Sequence, residues 1–493
     1  MAVPAMAAPS RKRSCGMLCL AITVSVSAIW LTPVAAVPPG NVTRGGSTIN
    51  LGAVILCAAM ALYYGFCWQE SQVLRVQEAK ESEDAVAAPA KRPRLGALDS
   101  LRFVLIAYIA SGHFIHTATR NPFLLRLISQ INVVVGAFFV ISGYVAAYTT
   151  TELGQRKGSK RLDNAVEFTI TRIMGHWPLH LMVLLLFSPV FLFVDISYSG
   201  VATAAWNGFI SFFMLQAWFP TSAEVWNAPT WFLSALSFAL AALPYCLRIL
   251  AGQKKEELRR SLVIVTLLSL IPKVAYSNDL HAWGIMEGTL NAKTHPNYAL
   301  FNSLRFSPLG ALLEVLMGAI ACRLVMLDKP QEQLKSGSSL APLLAMLGVL
   351  VLRATGAVQI NDMLTRGAIF IPLWIIFLMR IHRESAAPGG SKMLPNFFCR
   401  QPLVFLGGIS FPIFIVHQPI GQLFYKKAVA VALFGHSLAS PLPNGIHWFF
   451  GIYWIIVLTA SYALQKFFLE SPAVQAASKN VGRNLIYALG GGS

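Results

Sequence analysis

The segment LDSLRFVLIAYIASGHF, residues 98–114, sets Arg102 and His113 eleven residues apart in an otherwise apolar run. On an α-helix this spacing is about three turns, so the two side chains point roughly the same way, ~16 Å apart along the axis. An arginine fork stays charged and binds phosphates through paired hydrogen bonds. A histidine accepts and returns a proton near neutral pH. One helix presenting both toward a cavity could hold a phosphorylated donor at its entrance and activate a nucleophile deeper in. The bland alternative is a snorkelling arginine and a hydrogen-bonded buried histidine. The helix alone does not choose between them. Asp99 lies one turn from Arg102, within reach of an ion pair, and His116 lies one turn beyond His113, placed to orient it or to face water.

Other ionisable residues stand in apolar surroundings, where charge is costly and commonly marks a protein interior or a watery path. Glu314 interrupts ALLEVLMG, and structural pairing is its favoured role. Its partner is Arg305, if the segment folds back, or an arginine of another helix. His417 precedes a helix-disrupting proline in VHQP and ranks below His113 as a base. Glu470 closes the last apolar run, where a helix-end contact is expected.

The elements that must position these residues are membrane helices. The chain is 55% hydrophobic and 12% charged, against about 25% charged in soluble domains. Its mean hydropathy is +0.59. Apolar residues come in blocks long enough to cross a hydrocarbon core of about 30 Å. Blocks such as VVVGAFFVISGYVAAY do not alternate, which excludes a membrane barrel. The expected fold is all-α: a polytopic bundle of about ten core transmembrane helices, plus one or two N-terminal hydrophobic segments. The net charge of +18 lies in short stretches between helices and not on one face, so no nucleic-acid partner is expected. None of the seven cysteines has the spacing of a zinc site, and no metal is expected.

Residues 1–40 read as a signal peptide or signal anchor: RKR at 11–13, an apolar run, then small residues. Asn41-Val-Thr43 is a glycosylation sequon close to the membrane. A further transmembrane segment falls in 41–68, with its apolar run at 51–67, and 69–96 is a cytosolic linker of mixed charge. Core spans are expected at 101–118, 131–149, 177–196, 230–250, 261–275, 309–327, 339–356, 367–380, 402–424 and 446–467. The basic stretches 91–94, 156–161, 254–260, 322–335 and 380–400 and the C-terminal tail, 476–493, fall on one side if the weakly apolar 203–217 is re-entrant or interfacial. Lys426 and Lys427 are exceptions on the other side. The long loop 276–308 falls there too, and no internal repeat is visible.

Within 97–475 the chain resembles acyltransferase family 3, the multi-pass membrane enzymes typified by bacterial polysaccharide O-acetyltransferases. LDSLRFVLIAYIASGHF is similar to that family's LDGLRG…H segment, including the arginine–ten residues–histidine spacing. FFVISGYV (138–145), FTITRIMGHWPLHL (168–181), APTWFLSALSF (228–238), RFSPLGALLEVLMGAIA (305–321), SFPIFIVHQPI (410–420) and FFLESPA (467–473) resemble its further motifs in family order. Two positions depart. A second arginine three residues after Arg172 is replaced by Gly175, leaving His176 beside it as a partial substitute. The acidic pair after Trp-Ser-Leu-Ser is replaced by Leu236 and Ser237.

The resemblance implies a membrane O-acyltransferase that moves an acyl group, usually acetyl, from coenzyme A to a hydroxyl of a sugar, lipid or other small alcohol. The catalytic residues would be His113, as general base, and Arg102. Arg102, Arg172 and His176 would hold the acetyl-CoA donor at the cytosolic face. Ser142, Trp231, Glu314 and His417 would line the cavity or acceptor site, with an interface-belt tryptophan an equal alternative for Trp231. Asp99 and Glu470 would be structural. No tightly bound cofactor is expected. The partners are an acyl-CoA, a hydroxyl-bearing acceptor and the bilayer, in the endomembrane system or an organelle membrane reached through a secretory signal. A transporter and a non-catalytic scaffolding relative remain open, although no inverted repeat or paired broken helix of the transporter kind is visible.

Overall fold

The computed structural model describes residues 95–150, 164–279, 298–329, 337–386 and 392–489. The expected signal segment, the sequon, the 51–67 span, nearly all of the 69–96 linker, the basic stretch 156–161 and most of the 276–308 loop lie outside them. The described residues fold as helices joined by irregular turns and loops. Six helices carry the argument: α1 (Gly96–Phe114), α2 (Gly136–Thr150), α3 (Trp231–Gly252), α4 (Lys255–Asp279), α5 (Pro308–Met326) and α6 (Ser410–Tyr425).

Among the described residues seven helices are long and apolar enough to cross a membrane. An eighth crossing follows if Gln401–Gly408 and α6, bent by 61° at Ile409, form one span. This is an all-α, multi-pass membrane protein, with fewer clear crossings than the ten expected. Each expected span has a helix, but two fall short for physical reasons. Leu340–Thr355 has 16 residues, about 24 Å at 1.5 Å per residue. The first turns of α4 carry Glu256, Glu257, Arg259 and Arg260, and Lys273 interrupts its apolar part. Val201–Phe212, at 12 residues, is too short to cross, in keeping with the interfacial or re-entrant reading of 203–217.

The outer helices turn apolar side chains outward. On Trp177–Ser199, Leu185, Leu186, Phe193 and Ile196 are exposed, as are Ile452 and Ile455 on Phe449–Ala463. In water such faces would be a liability, whereas lipid accepts them. The centre is α5, buried along most of its length and packed on α2, α3 and α4. Its approach to α2 is very close. A Cβ on Gly318 would land on the Val140 carbonyl, and one on Gly143 would land on the Val315 carbonyl. Small residues of this kind let two membrane helices meet backbone to backbone.

One end of the bundle is tied by ions. Asp328 pairs with Lys255 and with Arg383, each at 2.6 Å. Glu384 accepts from the Ser339 backbone at 2.7 Å, and Arg380 donates to the Ser338 carbonyl at 2.9 Å. These contacts gather parts of the basic stretches 254–260, 322–335 and 380–400 at one end. The tail forms a helix, Pro472–Ala488, whose Ser478 donates to the Met174 carbonyl at 3.3 Å.

Candidate functional site

α1 is a single unbroken helix. It therefore keeps Arg102 and His113 at the spacing expected from the sequence, ~16 Å along one axis. Arg102 pairs with Asp99 at 3.1 Å and remains one-third exposed. His113, near the far end, meets α6: its Nδ1 lies 3.0 Å from Nε2 of His417, and the rings are nearly parallel, 15° apart.

The proton positions follow from the neighbours. Nδ1 of His417 lies 3.0 Å from the Ile413 carbonyl, which can only accept, so Nδ1 carries the hydrogen. In the neutral ring Nε2 of His417 is then the acceptor, and Nδ1–H of His113 donates to it. That leaves Nε2 of His113 with its lone pair outward, the tautomer a general base requires. His417 is fully buried and His113 partly so.

α6 is held in place by a side chain that compensates for its proline. Pro419 has no N–H to give to the carbonyl of Ile415, four residues back. Asn227 supplies the missing donor, Nδ2 to Ile415 O at 2.8 Å. Tyr453 donates to the His417 carbonyl at 3.1 Å. Asn227 belongs to the 213–230 loop, where Met214 and Trp226 both have positive φ, 53° and 55°, a conformation that strains residues with a Cβ. Trp226 is held there by Asp195, which accepts from its Nε1 at 2.8 Å, and by Gln422 of α6, which donates to its carbonyl at 3.0 Å. The loop thus fixes the helix that fixes His417.

Glu314 sits in a second polar centre. Arg366 grips it with two donors, Nε to Oε1 at 2.9 Å and Nη2 to Oε2, and Lys273 of α4 donates to Oε1 at 3.1 Å. The partner is therefore an arginine of another element. Arg305 donates instead to Asn132 at 2.8 Å and pairs with Glu224 at 3.0 Å. Gly136 leaves room for the cluster, because a Cβ there would stand 2.6 Å from Nε of Arg366. Lys273, Arg305, Glu314, Arg366, Ser307 and Phe139 border a cavity of about 20 Å³, space for about one water.

The remaining candidates scatter. Trp231 is buried behind the cavity wall, its ring 4.8 Å from Phe306 and 6.2 Å from Phe139. Ser142 donates to its own helix at Phe138 O, 2.7 Å. Arg172 lies over the Phe168 ring at 4.4 Å and reaches Thr149 at 3.4 Å. His176 is buried with Nε2 3.4 Å from Ser237 Oγ, so the residue expected to substitute for the missing arginine meets one of the two that replace the acidic pair. His116 is exposed at the end of its turn. Glu470 pairs with Lys466 at 3.0 Å on the exposed end of the last span.

The sequence reading missed Lys273, Arg366 and Asn227. The first two could have been found as ionisable residues in or beside apolar runs, IPKVAY and LTRGAIF. Asn227 gave no signal, because its partner is a backbone carbonyl 188 residues away.

Fold and site together define a polytopic membrane protein with a hydrogen-bonded histidine pair among its helices. Residues 95–467 match the model of the acyltransferase domain of acyltransferase family 3, and the chain belongs to that family. No curated protein and no solved structure matches it.

Proposed function

We propose that this membrane acyltransferase moves an acetyl or similar acyl group from coenzyme A to the hydroxyl of a small acceptor, with His113 as general base. The observation that carries this reading is the His113–His417 hydrogen bond and the tautomer it sets. Nε2 of His113 takes the acceptor's hydroxyl proton as its oxygen attacks the thioester carbonyl. The C–S bond breaks, and the same proton goes to the departing thiolate. During the step His113 is cationic, and the neutral Nε2 of His417 stabilises Nδ1–H, as the orienting member of a triad does. Arg102 and Arg172, beside a basic end of the bundle, hold the donor's phosphates. The pantetheine arm reaches inward along α1 to His113. The acceptor is a sugar, lipid or other small alcohol, and the N-terminal signal directs the chain to the endomembrane system or an organelle reached through it.

The test uses the full chain, purified in detergent, with labelled acetyl-CoA and a panel of sugar and lipid alcohols. Labelled ester from the wild type, absent with His113→Ala, is the expected result. Absence of donor binding by a folded wild-type protein would end this reading, and solute counter-flow in liposomes without ester formation would favour transport.

A further inference from the structure

Among the described residues the cluster around Glu314 carries one more positive than negative charge. Lys273 and Arg366 are 7% and 4% exposed, and they share one carboxylate that is 1% exposed. Nearby ionic contacts match one to one: Arg353 with Asp362 at 2.6 Å, Arg305 with Glu224 at 3.0 Å. An unmatched cation among membrane helices is expensive, and such residues commonly face a substrate or ion path. Donors also remain. Two of the three Lys273 hydrogens go to Ser269 at 2.8 Å and Glu314 at 3.1 Å. Arg366 uses Nε and Nη2 on Glu314, leaving Nη1. Both residues border the cavity of about 20 Å³, and Arg305 closes another side of it.

We infer that this cavity is an anion site, and that Lys273 and Arg366 take a monovalent anion no larger than a carboxylate or chloride. The anion completes the charge balance of the cluster and sits beside Arg305, which borders the same cavity. Two sources offer this chemistry. One is a free inorganic or small organic anion. The other is a carboxylate on the acceptor itself, which would anchor the acceptor at this cavity; this second form rests on the acyl-transfer reading above.

The test titrates potassium formate and potassium chloride into the full chain in nanodiscs and reads thermal stability. The wild type should show a saturable rise in Tm. Lys273→Met, which leaves a neutral Glu314–Arg366 pair, should need about tenfold or more anion to reach half-saturation. No saturable rise in the wild type would overturn the inference, whether or not the variant folds. An equal rise in a folded Lys273→Met would overturn it as well. A second arm compares acyl transfer to a hydroxy acid and to its methyl ester. Preference for the acid, lost in Lys273→Met, assigns the anion to the acceptor; a saturable ion response without that preference assigns it to a free anion. Failure of all acyl transfer would strike the proposed function and leave the ion titration standing.

Discussion

Asn227 donates its side-chain N–H to the carbonyl of Ile415 at 2.8 Å, at the position where Pro419 withholds a backbone donor. A loop held in strained backbone thereby completes the helix that carries His417. Removing the donor leaves a buried carbonyl unpaired, which costs about 1–3 kcal/mol. Asn227→Ala should lower the thermal midpoint and reduce turnover more than donor affinity. Loss of stability with unchanged turnover would show that the loop does not position His417.

His113 and His417 are joined across the bundle by 3.0 Å. General-base catalysis contributes about 10²–10⁴-fold, so His113→Gln should lose activity on that scale while donor binding persists. His417→Phe keeps bulk and removes the hydrogen bond to Nδ1 of His113. It should reduce turnover less than His113→Gln does. Steady-state rates with acetyl-CoA for the two variants check the order.

Arg102 pairs with a near neighbour, Asp99, and is one-third exposed. Exposed ion pairs of this kind contribute about 0–1 kcal/mol. Arg102→Ala should therefore leave the fold intact and weaken donor binding. Calorimetric titration with a non-hydrolysable acyl-CoA analogue reads the affinity; an unchanged value would remove Arg102 from the donor site.

Among the described residues Glu314 is the one carboxylate between Lys273 and Arg366. Breaking a buried ion pair by removing one partner costs about 3–5 kcal/mol. Glu314→Ala should accumulate poorly or melt far below the wild type, which size-exclusion profiles and thermal melts will read.

Gly318 lies against the Val140 carbonyl. Overpacking a close contact costs about 1–3 kcal/mol, occasionally more, so Gly318→Leu should impair folding, whereas Gly348→Leu should not, because nothing stands within 4 Å of a Cβ there.

The crossings and the α1 pair were legible because both depend on local regularities. A run of apolar residues states its length, and helical pitch converts Arg102-to-His113 spacing into a distance. The number of crossings was less legible. Leu340–Thr355 and α4 pass as spans by eye, but the first is short and the second charged. The 402–424 run hides a 61° bend at Ile409, which local hydropathy does not record. Lys273 and Arg366 were visible as isolated charges, yet their convergence on Glu314 was not, because three separate elements supply the cluster.

By itself the sequence determined that the chain is helical, lies in a membrane and carries an arginine and a histidine along one face of α1, since composition and helical period act within a few residues. Only the tertiary structure decided which histidine shares a proton with His113, which carbonyl Asn227 serves, and that two cations close on one carboxylate. Those pairings join residues 41 to 304 positions apart. They are selected by the high cost of leaving charge or a backbone carbonyl unpaired where no water can reach.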